Sequence, residues 1–462
     1  MSQDLRRIGL VAATAIVVAN MIGTGVFTTT GFMSRDLGDA GAVLAGWVVG
    51  GILALCGAAA YAELGGMWPR VGGEYVYLRQ TYRPVVGFMS GWVSLFAGFS
   101  APVAVSALAF DRYLNTLVDL PDRLAAVIII GATAALHMVD VVLGARVQTV
   151  FTALKVALII GLIGAGLTIG DGDWANFDSR GDGLGTLWSG QFAVSLVWVT
   201  FAYSGWNAAA YIAGEIKDPA RNLPRALILG TLIVTFLYVG LNLVYFYALP
   251  PEVLAAPGQP VPIIEVGDAT ARVLFGDGAG QMISTMIALA LVSSVSAMTM
   301  AGPRVYAAMA EDRVFPPIFA RRNPRGAPTF GVLFQAGLAV VMVLFVPLGN
   351  LILYTGFTLS AFAAITVAAV FVMRRRHPDL ARPYRTFGYP VTPALFIVLS
   401  AWMGYYFLDH YPRETFASLA TMFTGLIIYV WARTNELERR LNELERQGSG
   451  SSPEARGPKP EA

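Results

Sequence analysis

Ala19-Asn20-Met21-Ile22-Gly23-Thr24-Gly25-Val26-Phe27 lies in the middle of an apolar run that starts at Ile8 and continues past Phe32. A second string, Thr200-Phe201-Ala202-Tyr203-Ser204-Gly205-Trp206-Asn207, holds a matching place in a later apolar run. Each puts glycine and polar residues about fifteen positions into its run, near a bilayer midplane at about 1.5 Å of rise per residue. Glycine tolerates backbone angles that other residues avoid, so both strings read as places where a helix comes apart. Unwound backbone inside a bilayer persists only where it lines a cavity or meets other protein. Glycines also serve as smooth seams between packed helices, but two interruptions at one depth in two halves of a chain favour a binding site.

Such a break has a definite chemistry. The half-helix that begins after it presents free N–H donors at a positive dipole end, which suits a carboxylate. The half-helix that ends before it presents carbonyl oxygens, which suit an ammonium. A zwitterionic α-amino acid carries both groups one carbon apart.

The remaining composition agrees with a membrane body. Of 462 residues, 56% are apolar and 13% charged, with mean hydropathy +0.60; a soluble chain carries roughly a quarter charged residues. The apolar residues fall in blocks of about 20, the length that spans a bilayer. The first block has no small-residue cleavage site and many blocks follow it, which argues against a removable signal peptide. Cys56 is the only cysteine and lies in the second block, so neither an intramolecular disulfide nor a disulfide-linked partner subunit is expected. His137, His377 and His410 lie far apart, so no metal and no cofactor is expected. A net charge of +2 gives nucleic acid little to bind. No HExxH, GxSxG, P-loop or paired-carboxylate motif falls on a span, so an enzyme is not expected.

Helices are predicted at about 8–33, 40–66, 84–115, 123–142, 146–169, 189–213, 224–248, 279–310, 328–347, 350–373, 389–409 and 414–433, twelve spans in an all-α polytopic chain. An even count puts both termini on one side. With the termini in the cytoplasm, Arg35, Arg112, Arg123, Arg180, Arg272 and Arg413 face outward and Lys155 lies inside a span. The rest of the 32 basic residues then lie inside, the bias that sets orientation. The loop Asp171–Asp182, rich in aspartate, suits the outer face. After Asn435, Leu437, Leu441 and Leu444 follow helical spacing before a Gly/Ser/Pro-rich stretch, which reads as a short amphipathic helix and a largely disordered tail over 434–462.

Met21-Ile22-Gly23-Thr24-Gly25-Val26-Phe27 resembles the first-helix signature of the amino acid–polyamine–organocation superfamily. Phe201 to Asn207, followed by Glu215-Ile216-Lys217-Asp218-Pro219-Ala220-Arg221-Asn222-Leu223-Pro224-Arg225, resembles the sixth-helix motif of its L-amino acid transporter branch. Gly144-Ala145-Arg146-Val147-Gln148-Thr149-Val150-Phe151-Thr152-Ala153-Leu154-Lys155 is similar to the start of that branch's fifth helix. Pro303-Arg304-Val305-Tyr306-Ala307-Ala308-Met309-Ala310-Glu311-Asp312 is similar to the end of its eighth.

The resemblance implies a five-plus-five inverted repeat with discontinuous helices 1 and 6. Spans 1–5 occupy 1–170, spans 6–10 occupy 189–374, and spans 11–12 at 389–433 lie outside the repeat. A bundle of spans 1, 2, 6 and 7 would rock against a scaffold of 3, 4, 8 and 9. The backbone of Met21, Ile22, Gly23, Thr24 and Gly25 would hold the substrate carboxylate, and the carbonyls of Phe201, Ala202 and Ser204 its ammonium. Phe201 would close over the substrate and Trp206 would bound its side-chain pocket. Asn207, like Asn20 and Asn242, reads either as a substrate contact or as a link between helices.

Lys155 sits about 13 Å into its span, where a cation is costly unless paired, hydrated or deprotonated. It is one of only three lysines, with Lys217 and Lys459, in a chain that otherwise uses arginine, which cannot lose its proton. By resemblance a lysine here takes the place of sodium and bridges helices 1 and 8, with Tyr238 and Ser294 as its coupling neighbours.

The expected function is therefore sodium-independent transport of small or medium neutral L-amino acids across the plasma membrane, by exchange or proton-coupled uptake. The expected partners are the amino acid, the lipid bilayer and protons. Ser204, where many branch members have glycine, narrows the pocket in favour of small side chains. Glu63, Asp140 and Glu215 read as charges facing the cytoplasmic interface, with no acid placed to meet a cationic side chain. A buried acid near Ser204 or Trp206 would favour the alternative, a cationic amino acid or polyamine carrier of the same fold.

Overall fold

The computed structural model describes residues 8–139, 141–178, 183–324 and 326–449, with side chains for the same residues apart from 139–150, 183–184 and 435–449. Asp140, Arg180 and the end of the tail, 450–462, lie outside the described residues, as do the side chains of Gly144 to Val150.

Helices account for most of the described backbone. The first apolar run is split into α1 (Leu10–Met21) and α2 (Gly25–Leu37), which meet at 42° across residues 22–24. Then come α3 (Ala40–Met67), a short α4 (Glu74–Thr81), and α5 (Pro84–Val93), which passes through a π-helical stretch, Ser94–Ser100, into α6 (Ala101–Asn115). α7 (Leu124–Val139) and α8 (Val141–Thr168) complete the first half. The expected sixth span is also interrupted: α9 (Gly190–Tyr203) stops, turns occupy Ser204–Asn207, and a single turn, α10 (Ala208–Tyr211), resumes.

α11 (Pro219–Ala248) starts five residues before the expected 224. Pro219 stands in its first turn, where a missing N–H costs nothing, and Pro224 is absorbed within the helix. Two short helices, α12 (Pro251–Ala255) and α13 (Val266–Phe275), precede α14 (Asp277–Glu311), α15 (Thr329–Phe345), α16 (Leu348–Arg376), α17 (Val391–His410) and α18 (Pro412–Ser449). Among the described residues, eight helices are long and apolar enough to cross a membrane, the bent α1–α2 pair makes a ninth, and three apolar helices are shorter (Leu124–Met138, Gly190–Tyr203, Thr329–Phe345).

The helices pack in two groups. α1, α2, α3, α9 and α11 pack on one another, and so do α6, α7, α14 and α15; α8 and α16 touch both groups. α18 lies outermost, with Phe416, Phe423 and Trp431 more than half exposed, a surface that only lipid solvates cheaply. Near the chain start, the Ile8 N–H donates to Glu215 O at 3.1 Å and the Lys217 N–H to Ile8 O at 2.8 Å. This isolated bridge ties the entry to α1 to the exit from α10.

Glu63 departs from expectation. It is 1% exposed, and its carboxylate takes both arms of Arg374 (2.9 and 2.7 Å) and the Thr386 N–H at 2.7 Å. It is a buried ion pair between α3 and α16 rather than a charge turned to the interface, because Arg374 from α16 reaches it across 311 positions of sequence.

Candidate functional site

The two breaks lie against each other. A Cβ on Gly25 would stand 2.4 Å from Ala202 Cα, so α2 and α9 touch backbone to backbone. Gly205, at φ +96°, presses on Asn20, and a Cβ there would stand 2.8 Å from the Asn20 carbonyl oxygen. Both the turn and the approach require glycine.

The chain's own side chains satisfy the first break. Lys155, 1% exposed, donates through Nζ to Ile22 O at 2.6 Å and Ala19 O at 3.2 Å, with Ser294 Oγ at 3.4 Å. Tyr238 Oη donates to Met21 O at 2.5 Å and to Ala202 O at 3.2 Å, and so joins the two breaks. Thr24 Oγ1 donates to Ser106 Oγ at 2.9 Å. Among the described residues, the N–H groups of Gly23, Thr24, Gly25 and Val26 meet no main-chain acceptor, as expected where a helix restarts. Of the expected coupling residues, Lys155 and Ser294 lie within 3.4 Å of each other. Tyr238 joins them through the neighbouring carbonyl rather than by touching the lysine.

The second break is left open. Ser204, Gly205, Trp206 and Asn207 line a cavity of about 490 Å³ that reaches past Asn20 and Thr200 to helix ends at Ile8, Gly72, Glu215 and Ala308. Its size suits a small molecule. Trp206 stands edge-on to Tyr61 (4.7 Å between centroids) and to Phe396 (6.3 Å), which builds an aromatic wall. Met21, Ile22, Gly23, Thr24, Gly25, Phe201 and Ala202, expected to hold the substrate, are not part of the cavity's lining. The Phe201 carbonyl accepts the Ser204 N–H at 2.9 Å. Between α2 and α9, Phe32 stacks on Trp198 at 4.4 Å, and Trp198 Nε1 donates to Asp36 at 2.9 Å. These residues border a second cavity of about 400 Å³, lined also by Arg35, Arg112, Arg123 and Glu414.

Glu74 was not anticipated. It begins α4, is 7% exposed and lines the central cavity. Its Oε1 accepts from Tyr61 Oη at 2.5 Å and from Asn207 Nδ2 at 2.9 Å. Burial raises its carboxyl pKa, against the opposing pull of those two hydrogen bonds. The available signal was the Gly72-Gly73 pair before it: both take positive φ and turn the chain so that the acid points back at α10. Asn20 bonds its own helix at Ile16 O, and Asn242 links to Thr30 Oγ1 at 2.5 Å as an interhelical tie.

An all-helical body of membrane-length helices, with a cavity beside two abutting helix breaks, has the form of a transport protein. The amino acid permease family profile matches residues 8–432. The chain is 30% identical over 435 residues to the large neutral amino acids transporter small subunit 2 of Oryctolagus cuniculus, covering 92% of this chain and 80% of that protein. It is 31% identical over 400 residues to the serine/threonine exchanger SteT of Bacillus subtilis (strain 168), covering 85% and 89%. It is 29% identical over 403 residues to the b(0,+)-type amino acid transporter 1 of Rattus norvegicus, covering 85% and 80%. The chain belongs to the amino acid permease family.

Proposed function

We propose that this protein carries small or medium neutral L-amino acids across the plasma membrane, by exchange or proton-linked uptake and without sodium. The observation that carries this reading is the cavity walled by Ser204–Asn207, set against a break whose restart meets no main-chain acceptors and whose Ala19, Met21 and Ile22 carbonyls are already taken. The amino acid's ammonium meets the Ser204–Asn207 end, and its carboxylate meets the restart of helix 1 at Met21–Gly25 once Phe201 and Ala202 shift. Lys155 fills the place an external cation would need, which removes the requirement for sodium. Relatives named as a large neutral amino acids transporter and as a serine/threonine exchanger support the neutral cargo, and the second supports exchange.

The eight membrane-length helices and the bent pair, with the three shorter apolar helices counted as spans too, support a reading of twelve spans. The split of α1, α2, α3, α9 and α11 from α6, α7, α14 and α15, with α8 and α16 between them, supports a five-plus-five repeat over 1–170 and 189–374 in which the first group rocks against the second. Both termini lie in the cytoplasm, so the structure faces inward. Cys56 is buried in α3, in keeping with a carrier that works without a disulfide-linked subunit.

One observation favours a second reading. Glu74 is a buried acid beside Trp206, the feature a cationic amino acid or polyamine carrier requires. Counterflow in sodium-free proteoliposomes against labelled alanine, serine, leucine, lysine and putrescine decides between the two. Saturable exchange of the neutral amino acids is expected; uptake confined to lysine and putrescine selects the second reading, and uptake of none of the five rejects both.

A further inference from the structure

Glu74 has no part in the transport scheme above, yet three separate contacts fasten its loop to the lower half of helix 6. The Gly72 N–H donates to Tyr211 O at 3.0 Å. Gly73 lies so close to the Tyr211 ring that a Cβ would stand 2.7 Å from it. Glu74 Oε1 takes the Asn207 amide at 2.9 Å. Asn207 is the last residue of the helix-6 break and lines the cavity.

A side-chain amide can present either a donor or an acceptor, and its orientation depends on its partner. A carboxylate oxygen that already receives the Tyr61 hydroxyl at 2.5 Å can only accept. It therefore draws the Asn207 NH₂ toward itself and leaves the amide oxygen for the cavity that Asn207 lines. An amide oxygen is the end that receives an ammonium. The other titratable side chains facing Glu74 are Tyr61 from α3, Tyr77 from its own helix and Tyr211 from α10. Among the described residues no lysine or arginine bonds it, and the hydrogen bonds from Tyr61 and Asn207 both fall on Oε1.

We propose that Glu74 is a positioning residue: it sets the orientation of the Asn207 amide so that the break in helix 6 offers an acceptor, not a donor, to the cargo's ammonium. This rests on reading the cavity as an amino acid site. Glu74 acts on the cargo through Asn207 and does not touch it.

The test is counterflow kinetics on the full chain in proteoliposomes. Wild-type exchange of a neutral amino acid checks the functional reading on its own, and its absence would reject that reading rather than this one. With the wild type active, Glu74→Gln is expected to raise KM about tenfold, the worth of one charge-assisted hydrogen bond, with the maximal rate within about twofold. In an Asn207→Ala background the same change is expected to add nothing. The exchanged pair, Glu74→Gln with Asn207→Asp, restores donor facing acceptor and is expected to bring KM back within a few-fold of wild type, whereas Asn207→Asp alone sets two acids together and raises it. If Glu74→Gln does not fold, as judged by gel filtration, the Asn207→Asp single and exchanged variants carry the test. Equal KM effects of Glu74→Gln with and without Asn207, no rescue by the exchanged pair, or loss confined to lysine uptake would each overturn the proposal.

Discussion

The two helix breaks touch each other, yet they are finished in opposite ways. In the first, between α1 and α2, the carbonyls of Ala19, Met21 and Ile22 are already claimed by Lys155 and Tyr238. In the second, between α9 and α10, Ser204 to Asn207 face an open cavity. Unwound backbone in a bilayer must find partners somewhere. The first break finds them within the chain, from a lysine 133 positions away from Ile22, and the second leaves part of its surface for a visitor. A lysine side chain thus finishes one break, while the other stays open to the cavity.

The sharpest way to break this comparison is to empty the first break. Lys155→Ala strands the buried Ile22 carbonyl and the part-buried Ala19 carbonyl at about 1–3 kcal/mol each, which at about 1.4 kcal/mol per tenfold predicts a fall in counterflow of about 30-fold or more. Wild-type exchange in that variant would show that the first break needs no plug. Next comes Gly205→Ala, which forces a side chain onto a positive φ and against the Asn20 carbonyl. A cost of about 1–3 kcal/mol predicts roughly ten- to hundredfold slower exchange and a melting temperature lower by a few degrees, read by fluorescence-monitored unfolding.

Tyr238→Phe removes only the hydroxyl that joins Met21 O to Ala202 O. A drop of about five- to tenfold is expected, and no change would mean that the breaks are held together by backbone packing alone. Ser204→Gly is the mildest. It widens the open break and is expected to shift the leucine-to-alanine counterflow ratio upward by about two- to fivefold; a shift toward alanine would contradict the assigned role of Ser204.

Much of this was legible in the sequence because it depends on local chemistry. Glycine beside polar residues at mid-span located both breaks, and a lone deep lysine announced a partnered cation. Backbone groups without side-chain signals were harder to place: Met21–Gly25, Phe201 and Ala202 are not part of the cavity's lining, since whether a peptide faces the cavity depends on how two helices abut. Glu74 and the Glu63–Arg374 pair were missed for a related reason. Each acid meets its partner only after the chain has returned from 133 and 311 positions away, and no spacing rule reaches that far.

The short bridge at Ile8 and Ile216 carries a mechanical implication. Two peptide hydrogen bonds harness the loose lower ends of both interrupted spans to one another, so neither end can swing without dragging its fellow. The end of the cavity at Ile8 and Glu215 is thus hung on a single yoke, and a pull delivered to either segment is felt by both.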